Sequence, residues 1–352
     1  MGYRSVAIDI GATMVRVAEV ELGSGADPRE SAVLQSYAER AMPAGVIRNG
    51  VIEEAATLAS LVRETYGAAK TSGKNVTVGI GHHSLVVREL DIPAQPMAQV
   101  RDTLAFHVQD SLTTSVDDAI LDFFPTLEID SPSGATLRGL LVAAPKDMVR
   151  EVVGVIDKAG IPLSVVDHSA LGLWRGGVRG QIAQGNTALV DVGASATTIV
   201  LSQGYTPRLI RVLPQGSNDA NKAIANALKG STLDAESIKR EVGMDLNVQD
   251  GRRPLAEAAS HALNPLIDSI RNTLVYFASS NPGGAVERII LTGGGAYLRG
   301  FGQALASATR QAVQFGEPLA GVRLGKGVDL RAHQGREAEL ATVIGLAMGG
   351  ER

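Results

Sequence analysis

Apolar positions along the chain follow two periods, one typical of strands and one typical of helices. Residues 76–80 form a short apolar run and residues 85–92 alternate between apolar and polar side chains, which predicts two strands. Residues 53–69 instead place apolar side chains three and four positions apart and are followed by Gly73, which predicts a helix. Strands and helices that follow one another in this way indicate an α/β protein.

The pattern is interrupted after the strand that ends at residue 92. Pro93 and Pro96 mark a break, and the stretch of about 91–160 predicts an inserted small α+β module. Its expected elements are a helix over 100–111, strands over 119–129 and 136–144, and an amphipathic helix over 146–158. We therefore expect the first α/β unit to contain a small additional unit.

The second half of the chain repeats the α/β pattern. A helix is expected to begin at Asp167, and Pro265 is expected to kink or end a long helix. The other predicted elements are strands over 208–213 and 286–292 and helices over 218–228, 234–242, 255–280, 297–312 and 338–348.

One five-residue pattern occurs in both halves, each time at the end of an apolar strand. The first copy is Asp9-Ile-Gly-Ala-Thr13 and the second is Asp191-Val-Gly-Ala-Ser195. The acidic, glycine, alanine and hydroxyl positions coincide at one constant offset, which indicates an internal duplication. Two facing copies of such a hairpin suit a triphosphate held from both sides, with a carboxylate on each side for a metal ion.

The hairpin tips have the chemistry of a phosphate site. Backbone N–H groups converge at a tight turn, and Gly11 and Gly193 let phosphate oxygens approach the main chain. Asp-x-Gly is also ordinary turn chemistry, and it is the matched pair that favours the phosphate hypothesis. Asp9 and Asp191 are predicted to hold Mg²⁺ through water. The predicted phosphate-binding residues are Gly11, Ala12, Thr13, Arg16, Gly193, Ala194 and Ser195.

Two weaker motifs lie in the second half. Residues 292–295, Thr-Gly-Gly-Gly, follow an apolar strand and precede a helix, so a flat ring could lie against the backbone there. A flexible loop is the equal alternative for this run. Glu236 and Lys239 share one helix face, where a surface ion pair is the ordinary interpretation.

Composition excludes several functional classes. With 352 residues the chain is long enough for about two domains, and the formal net charge of −4 gives no basic excess for nucleic acid or anionic lipid. The absence of cysteine excludes disulfides and thiolate chemistry. No P-loop, dinucleotide fingerprint or paired-histidine metal motif occurs, and no apolar run reaches the ~18–20 residues of a membrane helix. We therefore expect a soluble, cytoplasmic protein that does not insert directly into a membrane.

Taken in order, these motifs resemble the actin/Hsp70/hexokinase ATPase superfamily and, within it, the PilM family of type IV pilus proteins and the related FtsA family. The resemblance covers nearly the whole chain, and its more particular segments are 141–146, 271–278 and 290–300. It implies an α/β, duplicated actin-like (ribonuclease H-like) two-domain ATPase fold with an FtsA-type 1C insertion at about 91–160. Domain 1 would span residues 1–185 and domain 2 residues 186–352, with the last helix packing back on domain 1.

The resemblance also implies a function. PilM-like proteins bind ATP and Mg²⁺, and they hold the N-terminal cytoplasmic tail of the membrane protein PilN in a groove between subdomains 1A and 1C. Such a protein would be peripheral to the inner membrane through this partner, would contact other pilus components and could self-associate. In the superfamily, the glycine run would be the adenosine motif, and Glu236 and Lys239 would contact ribose and adenine. The implied adenosine-binding residues are Gly216, Glu236, Lys239, Gly293, Gly294, Gly295 and Tyr297.

One position departs from the pattern of the superfamily. Relatives that hydrolyse ATP readily carry Glu, Gln or Asp at the start of the connecting helix, whereas this chain has Ser169, with Asp167 two residues away. A hydroxyl is a poor general base, so hydrolysis is expected to be slow or absent unless Asp167 reaches the site. These two residues are the catalytic candidates. The alternatives to a pilus scaffold are an FtsA-like cell-division filament protein and a sugar or acetate kinase on the same fold.

Overall fold

The computed structural model describes residues 3–24, 28–109, 115–130, 134–228, 232–248 and 250–349. The helices are α1 (Ala55–Ala69), α2 (Met97–Val108), α3 (Lys146–Lys158), α4 (Ser169–Gly177), α5 (Asn218–Leu228), α6 (Thr232–Val242), α7 (Arg253–Ser280), α8 (Phe301–Thr309) and α9 (Ala341–Ala347). The strands of the first half are β1 (Tyr3–Ile10), β2 (Met14–Leu22), β3 (Val33–Ala41), β4 (Ile47–Arg48), β5 (Val51–Ile52), β6 (Asn75–Ile80), β7 (Val86–Pro93), β8 (Ala119–Ile129), β9 (Thr136–Pro145) and β10 (Leu163–His168). Those of the second half are β11 (Asn186–Val192), β12 (Thr197–Gln203), β13 (Thr206–Leu213), β14 (Arg288–Thr292), β15 (Ala312–Phe315) and β16 (Arg323–Leu324).

Two mixed sheets have the same strand order. The first sheet runs β3-β2-β1-β6-β10, with β16 added beside β3, and the second sheet runs β13-β12-β11-β14-β15. In both sheets the first two pairings are antiparallel and the last two are parallel. The duplication indicated by the two hairpin motifs therefore extends to whole sheets, and the predicted duplicated α/β fold is confirmed.

The insertion forms a separate three-stranded sheet, β7-β9-β8, which we call the insertion sheet. Its own core contains Ile92, Leu104 and Phe123, so α2 covers one of its faces. The sheet begins at Val86, a few residues before the expected start near 91. Helix α3 was expected inside the insertion, but its apolar side chains join the core of the first half with α1, because its amphipathic stripe faces that helix.

Helices α4 and α9 cross at glycines where the two halves meet. A Cβ on Gly345 would overlap the carbonyl oxygen of Gly172, and one on Gly176 would overlap that of Ala341. The backbones can approach this closely only because no side chain separates them. Helix α9 also contacts β1 and β2, so the last described helix packs on the first sheet.

Two predicted helix starts are wrong, and the helix expected to kink or end at Pro265 does not end there. The helix expected from Asp167 begins at Ser169, because residues 163–168 form the parallel strand β10. Helix α7 continues through Pro265, where the buried stripe on both sides holds the helix together despite the missing hydrogen bond. The helix expected from Tyr297 begins at Phe301, because residues Gly294–Tyr297 form a single 3₁₀ turn.

Candidate functional site

The first hairpin joins β1 and β2 through a tight turn. The Gly11 amide donates to the Met14 carbonyl at 2.9 Å, and a Cβ on Gly11 would lie 3.1 Å from that oxygen. The Met42 amide, just after β3, donates to the Thr13 carbonyl at 2.8 Å. The tip is thus closed by backbone hydrogen bonds and needs glycine at its first position.

The second hairpin closes in the same way. The Gly193 amide donates to the Ala196 carbonyl at 2.9 Å, and a Cβ on Gly193 would lie 2.8 Å from that oxygen. Residue Gly216 presses against this tip, since its Cβ would lie 2.5 Å from the Ala194 carbonyl oxygen. The amide of Ser217 donates to the Gly193 carbonyl at 2.9 Å, which docks the start of α5 on the turn.

The two hairpin carboxylates lie close enough for their charges to interact. Burial raises the pKa of Asp191 to about 6, a hydroxyl hydrogen bond from Thr292 at 2.9 Å lowers it, and the charges of Asp9 and Glu339 raise it further. Burial also raises the pKa of Asp9, and the Arg16 guanidinium opposes that shift. The charges of the two predicted metal-binding carboxylates therefore act on each other.

These carboxylates fit a hydrated cation better than a fully protein-ligated one. Among the described residues, no group of three or more His, Cys, Asp or Glu side chains is arranged to hold a metal ion. Mg²⁺ usually keeps several waters and takes one or two carboxylates together with phosphate oxygens. Asp9 and Asp191 match that donor set if a phosphate ligand supplies the rest.

Arg16 is engaged by two carboxylates. Its Nε donates to Glu39 Oε2 and a terminal nitrogen donates to Glu339 Oε2, both at 3.2 Å. Burial acts to raise the pKa of Glu39, but hydrogen bonds from His333 and Tyr37 outweigh it and hold that pKa at about 2. The predicted phosphate-binding guanidinium therefore lies inside an ion-pair network beside the first hairpin.

Sequence reasoning missed both partners of Arg16. Glu39 is the direct cross-strand neighbour of Arg16 in the β2–β3 pairing, so the strand register carried a signal for it. Glu339 comes from a 3₁₀ segment immediately before α9, far away in the sequence. No local pattern links it to Arg16.

The glycine run lies against the second hairpin. Gly293 has φ +77°, and its Cβ would lie 2.6 Å from the Val192 carbonyl oxygen and 2.8 Å from Asp191 Oδ1. A Cβ on Gly295 would lie 2.5 Å from Val192 Cγ1. This loop is therefore packed rather than flexible, and it places its backbone next to a candidate metal-binding carboxylate.

Lys239 is buried in the pair that it forms with Glu236, whereas the Glu236 side chain is 36% exposed. Lys239, 5% exposed, donates to Glu236 Oε2 at 2.8 Å, and Asn221 of α5 donates to the same oxygen at 2.6 Å. Burial acts to raise the pKa of Glu236, but the hydrogen bonds from Lys239 and Asn221 hold it at about 2. The pair ties α6 to α5, and α5 starts at the second hairpin.

The Tyr297 ring already has partners. It stacks on Phe315 with 4.8 Å between ring centroids and an interplanar angle of 8°, and the Arg336 guanidinium lies over it at 5.8 Å. Its hydroxyl accepts the Ala338 amide at 3.1 Å. A base that stacked on Tyr297 would have to displace one of these two neighbours.

The two catalytic candidates differ in their contacts. The Asp167 carboxylate binds Arg175 at 2.5 Å and accepts the His168 amide at 2.8 Å, so it is occupied. Ser169 instead lies against Gly79, whose Cβ would be 2.8 Å from the serine Oγ. Gly79 is the register partner of Asp9 on the neighbouring strand. Asp167 is the register partner of the same glycine on the other side, so the two candidates differ in side-chain contacts rather than in their place along the sheet.

A cavity of about 650 Å³ lies at the junction of the insertion with the first half. Val51, Pro145 and Met148 give it apolar walls, and His82 and Glu151 give it polar ones. Among the described residues, no helix is long and apolar enough to cross a membrane.

Two curated relatives are cell division proteins. The chain is 26% identical over 107 residues to FtsA of Bacillus subtilis (strain 168), covering 30% of this chain and 24% of that protein. It is 24% identical over 298 residues to FtsA of Streptococcus pneumoniae serotype 2 (strain D39 / NCTC 7466), covering 77% of this chain and 62% of that protein. The chain therefore matches less than two thirds of the length of either relative.

Solved structures share the fold. A PilM-PilN type IV pilus biogenesis complex matches with a TM-score of 0.81 and 24% identity, covering 98% of this chain and 97% of that one. MreB5 of Spiroplasma citri bound to AMPPNP matches with a TM-score of 0.54 and 11% identity, covering 97% of this chain and 94% of that one. Both likenesses support the actin-like fold.

The profile of one protein family matches almost the entire chain. That family is described as type IV pilus assembly protein PilM, and the match runs over residues 7–351. It includes both hairpins, the insertion sheet and the glycine run. The chain therefore belongs to the PilM family of type IV pilus assembly proteins.

Proposed function

We propose that this chain is a nucleotide-binding, actin-like scaffold of a type IV pilus machine, which binds Mg-ATP between its two hairpins and hydrolyses it slowly or not at all. In this proposal it also holds the N-terminal cytoplasmic tail of a PilN-like membrane protein. The observation that carries the nucleotide part is the pair of identically closed hairpins with interacting carboxylates. Family membership favours this function over the division-protein and kinase alternatives.

The nucleotide would lie across both sheets. Amides of Ala12, Thr13, Ala194 and Ser195 at the hairpin tips would hold phosphate oxygens, and Asp9 and Asp191 would hold hydrated Mg²⁺. The bound metal would partly neutralise the negative charge of the phosphates. The adenosine would lie along Gly216, the Glu236–Lys239 pair and the glycine run, all of which pack on or next to the second hairpin. A structure of MreB5, which shares this fold, contains AMPPNP.

Slow or absent hydrolysis follows from the two catalytic candidates. A water needs a positioned base, and the Asp167 carboxylate is held by Arg175 and the His168 amide. The Ser169 hydroxyl lies against Gly79 and is a weak base. We expect single-turnover phosphate release to be slow relative to nucleotide binding.

The partner peptide would dock in the 650 Å³ cavity between the first half and the insertion. Its apolar wall of Val51, Pro145 and Met148 suits an apolar side chain of an extended tail, and a few such anchors dominate peptide affinity. A solved complex of PilM with PilN shares the fold of this chain. Through this tail the protein would be cytoplasmic and peripheral to the inner membrane, where it would meet other pilus components and could self-associate.

Calorimetry with Mg-ATP tests the nucleotide site. Asp9→Ala and Asp191→Ala should each weaken binding at least about tenfold, since each removes a charge from the metal site. Asp329→Ala, which removes an exposed carboxylate paired with Arg331, is the matched control and should bind normally. Unchanged affinity in both hairpin variants would refute the proposed nucleotide site.

A second pair of variants tests the peptide site. Val51→Glu places a charge in the cavity, whereas Leu324→Glu places one elsewhere at nearly equal exposure, 52% against 51%. Binding of a synthetic peptide with the tail sequence of the PilN-like partner should weaken about tenfold or more only in Val51→Glu. Equal affinity of both variants would place the peptide outside this cavity.

A further inference from the structure

The insertion sheet is bonded to the second half of the molecule by a polar contact. Arg208 on β13 donates to both carboxylate oxygens of Glu89 on β7 at 3.1 Å, and a third hydrogen bond joins it to Asn281 Oδ1 at 3.5 Å. Arg138 on β9 binds Glu89 at 3.0 Å and Asp91 at 2.7 Å. Glu89 thus lies between one arginine of the insertion and one of the second sheet.

An apolar cluster joins the same parts. Val87, Phe124 and Leu140 of the insertion sheet pack with Trp174 of α4 and Ile210 of the second sheet. The Phe124 and Trp174 rings meet edge to face with 5.8 Å between centroids. Burial of apolar surface stabilises this contact. The Glu89–Arg208 pair fixes the position of the insertion sheet relative to the second sheet.

The links between the insertion sheet and the first half line the cavity. The chain enters the sheet through residues 81–85 and leaves it at Pro145, where α3 begins. His82, Ser84 and Pro145 from these two links all form cavity wall. A shift of the insertion sheet relative to the first half would therefore change the cavity directly.

We propose that the insertion sheet moves with the second half of the molecule, so that nucleotide binding between the hairpins alters the shape of the cavity through the Glu89–Arg208 contact. This inference rests on the proposed function, because it links the two proposed sites. Arg208 and Glu89 are positioning residues in it and touch neither ligand. Because coupling between two binding sites is reciprocal, a peptide in the cavity would change nucleotide affinity by the same factor.

Hydrogen exchange of the full chain with and without Mg-AMPPNP tests the coupling. In the wild type, saturating nucleotide should change exchange at residues 82–85 and 145–151 by about fivefold or more. Arg208→Glu, which repels Glu89, should bind the nucleotide normally but lose most of that change, and Arg208→Lys should retain it. Arg253→Glu is the matched control, because it breaks an ion pair within α7 only. Glu89→Gln, which keeps the side-chain shape, replaces Arg208→Glu if that variant does not fold.

The outcomes separate this inference from the proposed function. If the wild type does not bind Mg-AMPPNP, the proposed nucleotide site is refuted and the coupling with it. If it binds but exchange at the cavity links is unchanged, only the coupling is refuted. The coupling is also refuted if Arg208→Glu or Glu89→Gln keeps the full response.

Discussion

The two hairpins close with the same backbone hydrogen bond, but different side chains surround their carboxylates. In the first, the cross-strand neighbour of Asp9 is Arg16. In the second, the cross-strand neighbour of Asp191 is Thr198, and the nearest polar support is the hydroxyl of Thr292. Both copies keep the same turn, because close backbone contacts restrict its shape. The side chains around the two carboxylates differ between the copies.

Because of this difference, we expect the two carboxylates to respond differently to a bound metal ion. Asp9 has a cation beside it, whereas Asp191 has a hydroxyl partner and a pKa of about 6. A hydrated Mg²⁺ would relieve the repulsion between the two and favour the ionised form of Asp191. The metal would therefore help to keep Asp191 charged near neutral pH.

Alanine substitutions at the glycines of the two hairpins and at Gly216 should have the largest effect. Gly216→Ala places a Cβ 2.5 Å from the Ala194 carbonyl oxygen and should lower the free energy of unfolding by about 2–3 kcal/mol. Gly193→Ala should cost more than Gly11→Ala, because the corresponding distances are 2.8 and 3.1 Å. Urea unfolding measures all three. Gly154→Ala, which meets nothing within 4 Å in a helix, is the control and should stabilise by about 0.5–1 kcal/mol.

The pH dependence of Mg-ATP binding should report Asp191. Because its pKa is about 6, affinity should rise up to about tenfold per pH unit as Asp191 ionises below pH 6, and then level off. The phosphate groups titrate in the same range, so the informative quantity is the difference between wild type and Asp191→Asn in calorimetry. If Mg-ATP affinity changed with pH in the same way in both proteins, the proposed difference between Asp191 and Asp9 would be contradicted.

Without ligand, Asp191→Asn should stabilise the protein at neutral pH. The pKa of this carboxyl is higher in the folded chain than its ordinary 3.8, so its favourable contribution is complete below about pH 4 and is lost as pH rises through about 6. After allowance for partial exposure, the variant should gain about 1–2 kcal/mol at pH 7 and nothing at pH 4. Asp9→Asn should gain less, because Arg16 then loses a neighbouring charge. Thermal unfolding of both variants at pH 4 and pH 7 tests whether Asp191→Asn gains more stability than Asp9→Asn.

The smallest expected effect concerns the hydroxyl that supports Asp191. Thr292→Val removes the 2.9 Å hydrogen bond, so it should cost about 1 kcal/mol and move the pH midpoint of Mg-ATP binding upward. Thr187→Val, on the same sheet, removes a hydrogen bond to a backbone carbonyl and should cost a similar amount without moving the midpoint. A midpoint shift in both variants would show that the hydroxyl has no specific effect on Asp191.

Most of the fold could be predicted from the sequence because its signals are local. Helices α3 and α5 have the bounds that apolar periodicity predicted, and both hairpins occur where the Asp-x-Gly patterns stand. The errors arose where tertiary contacts override local preference, as in the unbroken α7 around Pro265. Assignment of α3 to the insertion failed because periodicity shows that a helix has an apolar face but not which core that face joins.

The sequence by itself determined the duplication, the turn chemistry and the residue types at the candidate site. Only the tertiary structure decided that Glu339 binds Arg16, that Arg175 occupies Asp167, and that Lys239 is buried beside Glu236. Local patterns depend on neighbours a few positions apart, whereas the Glu339–Arg16 pair joins distant segments and the burial of Lys239 depends on what packs around it. The charge state of each candidate residue follows from those meetings, because burial and nearby charges set it.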